Sequence, residues 1–398
     1  MFKKVILRVC AIIFIAAISF LLLEVLFRLY HGKAVVLKVT TGASVNSNYD
    51  FEPDKSTRLK SSKKNEFDVM VKINNFGFRG EDIKLEKTPG VRRVFMVGDS
   101  FTFGVGAEEN QTIPYLTGEF LKNRGDSAEV INAGVGHRSP IIYYVKLRDV
   151  YLKFKPDIAV LLLDFSDLRD DWHTERQAVY DKNWEILRFD PAFLDGKKDW
   201  WGISVRNSET LAYLNNKFVR TFRKIHVLGL KSYIKAALAG KRAKAAIATS
   251  QEVAGRMDTI EYDGYLFMRG RDKLPFIKKH WALTGKYLLK IRDLLKQNGV
   301  EFMLVTYPYG IHVAPDEWQE GRVYWGFDRD KVYADRYAFD LIEDFCKNNN
   351  IRCVNTLDDF LAAKKQNPGV KLYFDLDGHM TSAGNRIVAR CIADNLTR

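Results

Sequence analysis

Cysteine is scarce in this chain, and acidic residues are missing from one long stretch of it. The four cysteines in 398 residues, Cys10, Cys346, Cys353 and Cys391, form no CxxC pair and have no histidine at ligand spacing. That argues against a structural zinc site and against a small disulfide-stapled scaffold, although Cys346 and Cys353 could pair in an oxidising compartment. The missing acids explain much of the formal net charge of +13, because nine Lys and Arg residues between Lys217 and Lys244 meet no Asp or Glu. No zinc finger, RNP-like aromatic signature or helix-turn-helix accompanies them, so no nucleic acid is expected. A membrane surface or an acidic polymer is the expected partner of this stretch.

A signal-peptide cleavage site is also lacking. Val5 to Phe27 is an apolar run, uncharged from Val9 to Leu23, that continues into LLLEVLFRLYHG without an A-x-A-like step. Such a run is long enough to span a bilayer and reads as an uncleaved signal anchor over residues 1–32. Lys3, Lys4 and Arg8 favour a cytoplasmic N-terminus, although Arg28, Lys33 and Lys38 stand on the other side. Single-pass membrane attachment with the globular part outside the cytoplasm is the expectation. Residues 33–90 are polar and loop-rich, and read as a linker that then packs against the following domain.

The chain then turns on VFMVGDSFTFGVG, Val94 to Gly106. An apolar run breaks into Gly98, Asp99 and Ser100, the pattern of a buried strand ending in a tight turn. A serine at the carboxyl end of a central parallel strand is well placed to be a nucleophile. Strands are predicted at Arg93–Gly98, Glu129–Ala133, Ile158–Leu163, Glu301–Tyr307 and Arg352–Asn355. Helices are predicted at Ile113–Asn123, Tyr143–Lys153, Trp281–Asn298 and Tyr333–Asn348, with a last one running to Asn395. This alternation predicts an α/β domain over 91–398, with a parallel sheet covered on both faces. After the third strand, an insertion at about 172–274 interrupts it. Within the insertion, Phe218, Phe222, Ile225 and Leu228 fall along one helical face, as in an interfacial helix, a lid or a docked solvated helix.

Four blocks in order, GDSFTFG at Ser100, INAGVGH at Gly134, LLLDFSDLRDD at Ser166 and DLDGH at His379, resemble the SGNH/GDSL hydrolase family. The likeness covers roughly Arg92 to Asn395 apart from the insertion, and the anchor with NNFGFRG resembles the membrane-anchored members. It implies a three-layer αβα, flavodoxin-like fold with no cofactor and no metal. It also implies that Ser100 attacks an ester carbonyl, His379 carries the proton and Asp377 orients the imidazole, with Asp375 as second choice for that role. The oxyanion donors it implies are the Ser100 and Gly134 backbone N–H groups and, in place of the family's usual asparagine, the Ser166 hydroxyl.

Asp164, Asp167 and His137 are candidate substrate contacts; alternatively the two aspartates orient Arg138 or Arg169, and His137 is structural. The two aspartates could also suggest a metal, but no third ligand accompanies them. His280, His312 and the TYPYGIHV segment are expected to line the domain. GDSFTFGVG is not a P-loop, since it lacks the Gly-Lys-Ser/Thr ending. Two functions stay open: a serine esterase or O-acyltransferase acting on acyl, chiefly acetyl, esters of a cell-envelope glycan, and a catalytically impaired envelope binding or assembly protein. Anionic lipid or acidic polysaccharide is the expected partner of residues 217–248.

Overall fold

The computed structural model describes residues 51–61, 66–189, 266–269, 274–325 and 327–397, together with Ile15, Ile18, Ser19, Phe20 and Leu22. The chain divides into two units, one of Met1–Val35 with Asp195–Ile247 and one of Val36–Leu194 with Ala248–Arg398. In the first unit only those five positions are described, all of them helical. Among the described residues no helix is long and apolar enough to cross a membrane. The rest of the expected N-terminal span, and all of the basic segment 217–248, lie outside them.

The second unit is built on five parallel strands, β3 Arg92–Gly98, β4 Ala128–Gly134, β5 Ile158–Leu163, β8 Glu301–Thr306 and β9 Arg352–Asn355, in the order β4-β3-β5-β8-β9. The five predicted strands are these five, while at the start of the predicted insertion β6 Ala178–Tyr180 and β7 Ile186–Phe189 pair antiparallel. Every residue of β5, IAVLLL, is buried, as expected of a strand covered on both faces. Helices α2 Ile113–Lys122 and α10 Ser382–Leu396 pack together, while α3 Pro140–Asp149 and α4 Asp167–Glu175 pack with α5 Leu274–Gln297. The helix α8 Tyr337–Asn348 joins the second group through Phe345, which meets Trp281 edge-on at 5.3 Å. Right-handed crossovers in this strand order put the two groups on opposite faces, giving three αβα layers.

Helix boundaries differ from the predicted ones mainly at N-termini. α3 starts at Pro140, which occupies the first turn where no intrahelical N–H is needed. α5 begins at Leu274, and α8 begins four residues after the predicted Tyr333. Two short helices, α6 Gly310–Val313 and α7 Gln319–Tyr324, lie between α5 and α8, and a further one, α9 Leu357–Gln366, buries only Leu357, Phe360 and Lys364, too sparse a pattern to stand out in the sequence.

The largest difference lies in residues 33–90, read as loop-rich. Strands β1 Lys55–Lys60 and β2 Asp68–Ile73 pair there as an antiparallel hairpin. Its inner face, Val69, Val71 and Ile73, forms a second small core with Phe51, Phe67 and Phe103. Beyond the hairpin, Arg79 bridges to Asn132 on β4 and so covers that edge of the sheet. Its side chain is fully buried and donates to the carbonyls of Phe103, Gly104 and Ala107 at 3.0, 2.7 and 2.6 Å and to Glu109 at 3.0 Å. These carbonyls end the short helix α1 Ser100–Phe103 and the loop after it, so the NNFGFRG phrase grips the turn that carries Ser100.

Replacing Arg79 by Met would take a charged donor from all three carbonyls, leaving Phe103 with the Asn132 amide at 3.2 Å and Gly104 with the Ala107 N–H at 3.1 Å, and would strip Glu109 of its ion pair. The variant should lose about 3–5 kcal/mol of stability, seen as a lower urea midpoint by circular dichroism. A loss under about 1 kcal/mol would show that water or neighbouring groups replace the guanidinium.

Candidate active site

Ser100 stands where β3 gives way to α1. Asp99 caps that helix by accepting the Phe101 N–H at 2.9 Å, and the Gly104 N–H closes it on the Ser100 carbonyl. The strand therefore holds the start of a helix only four residues long, with the serine in its first turn. On the neighbouring strand, Gly134 lets α1 pack against the end of β4. A Cβ there would lie 2.2 Å from the Phe103 backbone nitrogen.

His379 reaches the serine from the loop before α10. Its Nε2 is 2.7 Å from Ser100 Oγ, and its Nδ1 makes a short contact with Asp377 Oδ1. An ionised carboxylate only accepts, so the imidazole proton sits on Nδ1 and Nε2 is the acceptor facing the serine hydroxyl. Phe101 packs against the imidazole, with ring centres 4.7 Å apart. Side-chain exposures of 20% for His379 and 28% for Asp377 leave the pair within reach of solute.

Burial by itself pushes the His379 pKa down. The Asp377 charge and hydrogen bond more than offset this, with Asp99 and Asp164 adding to the rise, so the imidazole pKa lies above its ordinary 6.5. Burial likewise raises Asp377, but the facing imidazole leaves it below its ordinary 3.8.

The turn between acid and base is tightly specified. Gly378 has φ of +88°, and a Cβ on it would meet Trp318 Nε1 at 2.5 Å. Asp375, the second choice as orienting acid, lies elsewhere: its carbonyl accepts the N–H groups of Glu320 and Gly321, and its carboxylate faces Lys371 at 3.3 Å. Further back, fully buried Glu317 accepts Lys364 Nζ at 2.5 Å and the Leu372 and Tyr373 N–H groups at 3.0 Å each.

The other candidates are distributed as follows. The Gly134 N–H is donated to Asn132 Oδ1 at 3.1 Å. Gly136, not singled out from the sequence, lies against the serine; a Cβ on it would be 3.8 Å from Ser100 Cβ. His137 is exposed one residue further on, with φ of +58°. Ser166 is part-buried at the N-cap of α4, and its N–H donates to Asp164 Oδ1 at 2.7 Å.

Asp164 and Asp167 are both completely buried, which is a correction to their reading as substrate contacts. Asp164 accepts the hydroxyls of Tyr307 at 2.9 Å and Tyr309 at 2.7 Å, and Asp167 accepts the Asp164 N–H at 3.2 Å. Burial first, and then the neighbouring acids, hold Asp99 and Asp167 above the usual carboxylate range. The TYPYGIHV segment thus supplies two hydroxyls to this buried cluster. His312 accepts the Tyr309 N–H at 3.0 Å, and burial presses its pKa down to about 3. His280 is buried edge-on to Trp172. Among the described residues no three His, Cys, Asp or Glu side chains converge as metal ligands.

A cavity of about 330 Å³ lies beside the end of β4, lined by Phe51, Phe76, Phe78, Val135, Lys146 and Tyr151 among others. Neither Ser100 nor His379 lines it, although Gly134 does.

No protein-family model matches the chain, and no curated protein matches it. Among solved structures it is similar to an acetyl xylan esterase, at 17% identity and a TM-score of 0.36, covering 76% of this chain and 99% of that one. It is also similar to an acetylxylan esterase from Geobacillus stearothermophilus, at 13% identity and a TM-score of 0.37, covering 78% and 97%. A GDSL-like lipase from Bacteroides thetaiotaomicron matches at 12% identity and a TM-score of 0.33, covering 77% and 88%.

The electrostatics of the pair give a direct test by NMR titration of the His379 imidazole. Its midpoint should lie above 6.5, and in Asp377→Asn it should fall, because burial remains while the opposing charge is gone. An unchanged midpoint in that variant would mean that Asp377 does not set the charge state of the imidazole.

Proposed function

We propose that this chain is a serine ester hydrolase or O-acyltransferase. The observation that carries the reading is the hydrogen-bonded series Ser100 Oγ, His379 Nε2 and Nδ1, Asp377 Oδ1. In that arrangement the serine oxygen attacks an ester carbonyl as its proton passes to Nε2. The imidazolium, stabilised by Asp377, returns the proton to the departing alcohol, and an acyl-serine remains. Water or a sugar hydroxyl then resolves it, so hydrolysis and transfer share the same first half.

The finer reading is an acetyl ester on a cell-envelope glycan. It is supported by the apolar stretch Val5 to Phe27, which would tether the domain beside such a polymer. The cations between Lys217 and Lys244 would draw anionic lipid or acidic polysaccharide toward it, each contributing on the order of 1 kcal/mol near the surface.

A second reading, an impaired enzyme acting as a binding or assembly protein, is favoured by one feature. Ser166 stands where an amide would serve as oxyanion donor, and the Gly134 N–H is already donated to Asn132. Fewer free donors leave a developing oxyanion less stabilised, and each missing one costs about 3–4 kcal/mol of barrier.

Hydrolysis of a small acetyl ester decides between these readings. The rate should rise with pH through a midpoint above 6.5, because the base must be neutral, and Ser100→Ala should lower it by about 10³-fold or more. Equal rates in wild type and Ser100→Ala would overturn the assignment. A large gain in Ser166→Asn would favour the impaired reading; no gain would favour the enzyme.

A further inference from the structure

The loop bearing acid and base is closed at its base, where the Phe374 N–H donates to the His379 carbonyl at 2.9 Å and Tyr373 bridges to Met380. Within it, Asp377 is part-exposed, and its aim at His379 depends on the turn's backbone. That backbone is held from outside. The Leu376 N–H donates to Glu66 Oε1 at 2.7 Å and the Asp377 N–H to Glu66 Oε2 at 3.0 Å.

One carboxylate thus binds two successive amides, which fixes both the position and the tilt of the turn. Glu66 is itself fixed. Its N–H donates to Ser61 Oγ at 2.8 Å, the Ser61 N–H donates to the Phe67 carbonyl at 3.0 Å, and Phe67 packs on Phe374 with ring centres 5.3 Å apart. All three residues belong to the connection between β1 and β2. Glu317 does the same for the Leu372 and Tyr373 amides, so two carboxylates grip the chain on either side of Phe374. Glu317 is completely buried and tied to Lys364, whereas Glu66 is only part-buried and meets the turn itself.

Building on the function proposed above, we infer that Glu66 is a positioning residue. From the tip of the N-terminal hairpin it holds the Leu376–Asp377 backbone so that the Asp377 carboxylate meets His379 Nδ1. Glu66 touches no reacting atom and works through Asp377.

The test uses the full chain with Glu66→Ala and Glu66→Gln, alone and in the Asp377→Asn background, with folding checked by circular dichroism. In Glu66→Ala, kcat on a small acetyl ester should fall about 10- to 100-fold with KM within about twofold, the scale of a misplacement near 1 Å. The His379 midpoint in NMR titration should fall with it. Glu66→Gln keeps a carbonyl acceptor for one amide but turns an NH₂ donor toward the other, and should recover only part of both losses. In the Asp377→Asn background, Glu66→Ala should change kcat by less than about twofold, because the residue it acts through is gone. An unchanged His379 midpoint in a folded Glu66→Ala, or the same loss of kcat in the Asp377→Asn background, would overturn the inference. Absence of Ser100-dependent hydrolysis in the wild type would count against the proposed function instead, and the titration would still decide the role of Glu66.

Discussion

One hydrogen bond joins Ser100 to His379 across 279 residues of sequence, and it constrains most of what surrounds it. The serine comes from the first sheet strand and the imidazole from the last loop, so no local structure can bring them together. Their meeting requires the sheet to place β3 centrally, α10 to pack on α2, and both connecting turns to be rigid. Three charged side chains and a tryptophan hold those turns. Arg79 collects the carbonyls behind the serine, Glu317 and Glu66 collect amides of the histidine loop, and Trp318 fills the space under Gly378. The three charged side chains bind backbone polar atoms in irregular chain, where no ladder or helix supplies the partners.

Four carboxyl groups are buried in this region, Asp99 just past the end of β3, Asp164 just past the end of β5, and Asp167 and Asp171 on α4. Asp171 accepts the Ile141 N–H at 2.9 Å and the Thr284 hydroxyl at 2.6 Å, yet burial still lifts its pKa to about 7. An acid whose folded pKa is raised binds its proton more tightly folded than unfolded. For Asp171 the stabilisation therefore fades as pH climbs from 3.8 toward about 7. The arrangement also bears on function, because Asp99 and Asp164 help to raise His379 and so favour the imidazolium formed when the serine gives up its proton. A destabilising burial of acids and a useful field at the base have the same physical origin.

Much of the fold was legible in the sequence because central parallel strands are continuous apolar runs, and VFMV and IAVLLL cannot be mistaken for a solvated face. Ser100 was legible as a residue at a strand end, whereas His379 and Asp377 came from the resemblance of the DLDGH block, which left Asp375 as the alternative acid. Asp164 and Asp167 misled for the same reason: position at a strand end suggested contact with substrate, while burial depends on Tyr307, Tyr309 and the strands beside them. Gly134 and Gly136 are two residues apart in one phrase, and only the packing of α1 separates the one that seats a helix from the one beside the serine. The hairpin at 55–73 was hidden by its polar outer face. Glu66 left no trace, since a carboxylate that binds backbone N–H groups 310 residues away imposes no side-chain pattern on its partners.

The proposed chemistry turns on acylation of Ser100. The most direct measurement is to mix the chain with a small acetyl ester, quench in acid within the first turnover and map the modified peptide by mass spectrometry. An acetyl group should appear on Ser100 alone, forming more slowly as pH falls and His379 takes up a proton. Ester turnover with no acyl group on Ser100 under any quench, or an acetyl group on another side chain that turns over at the steady-state rate, would contradict it.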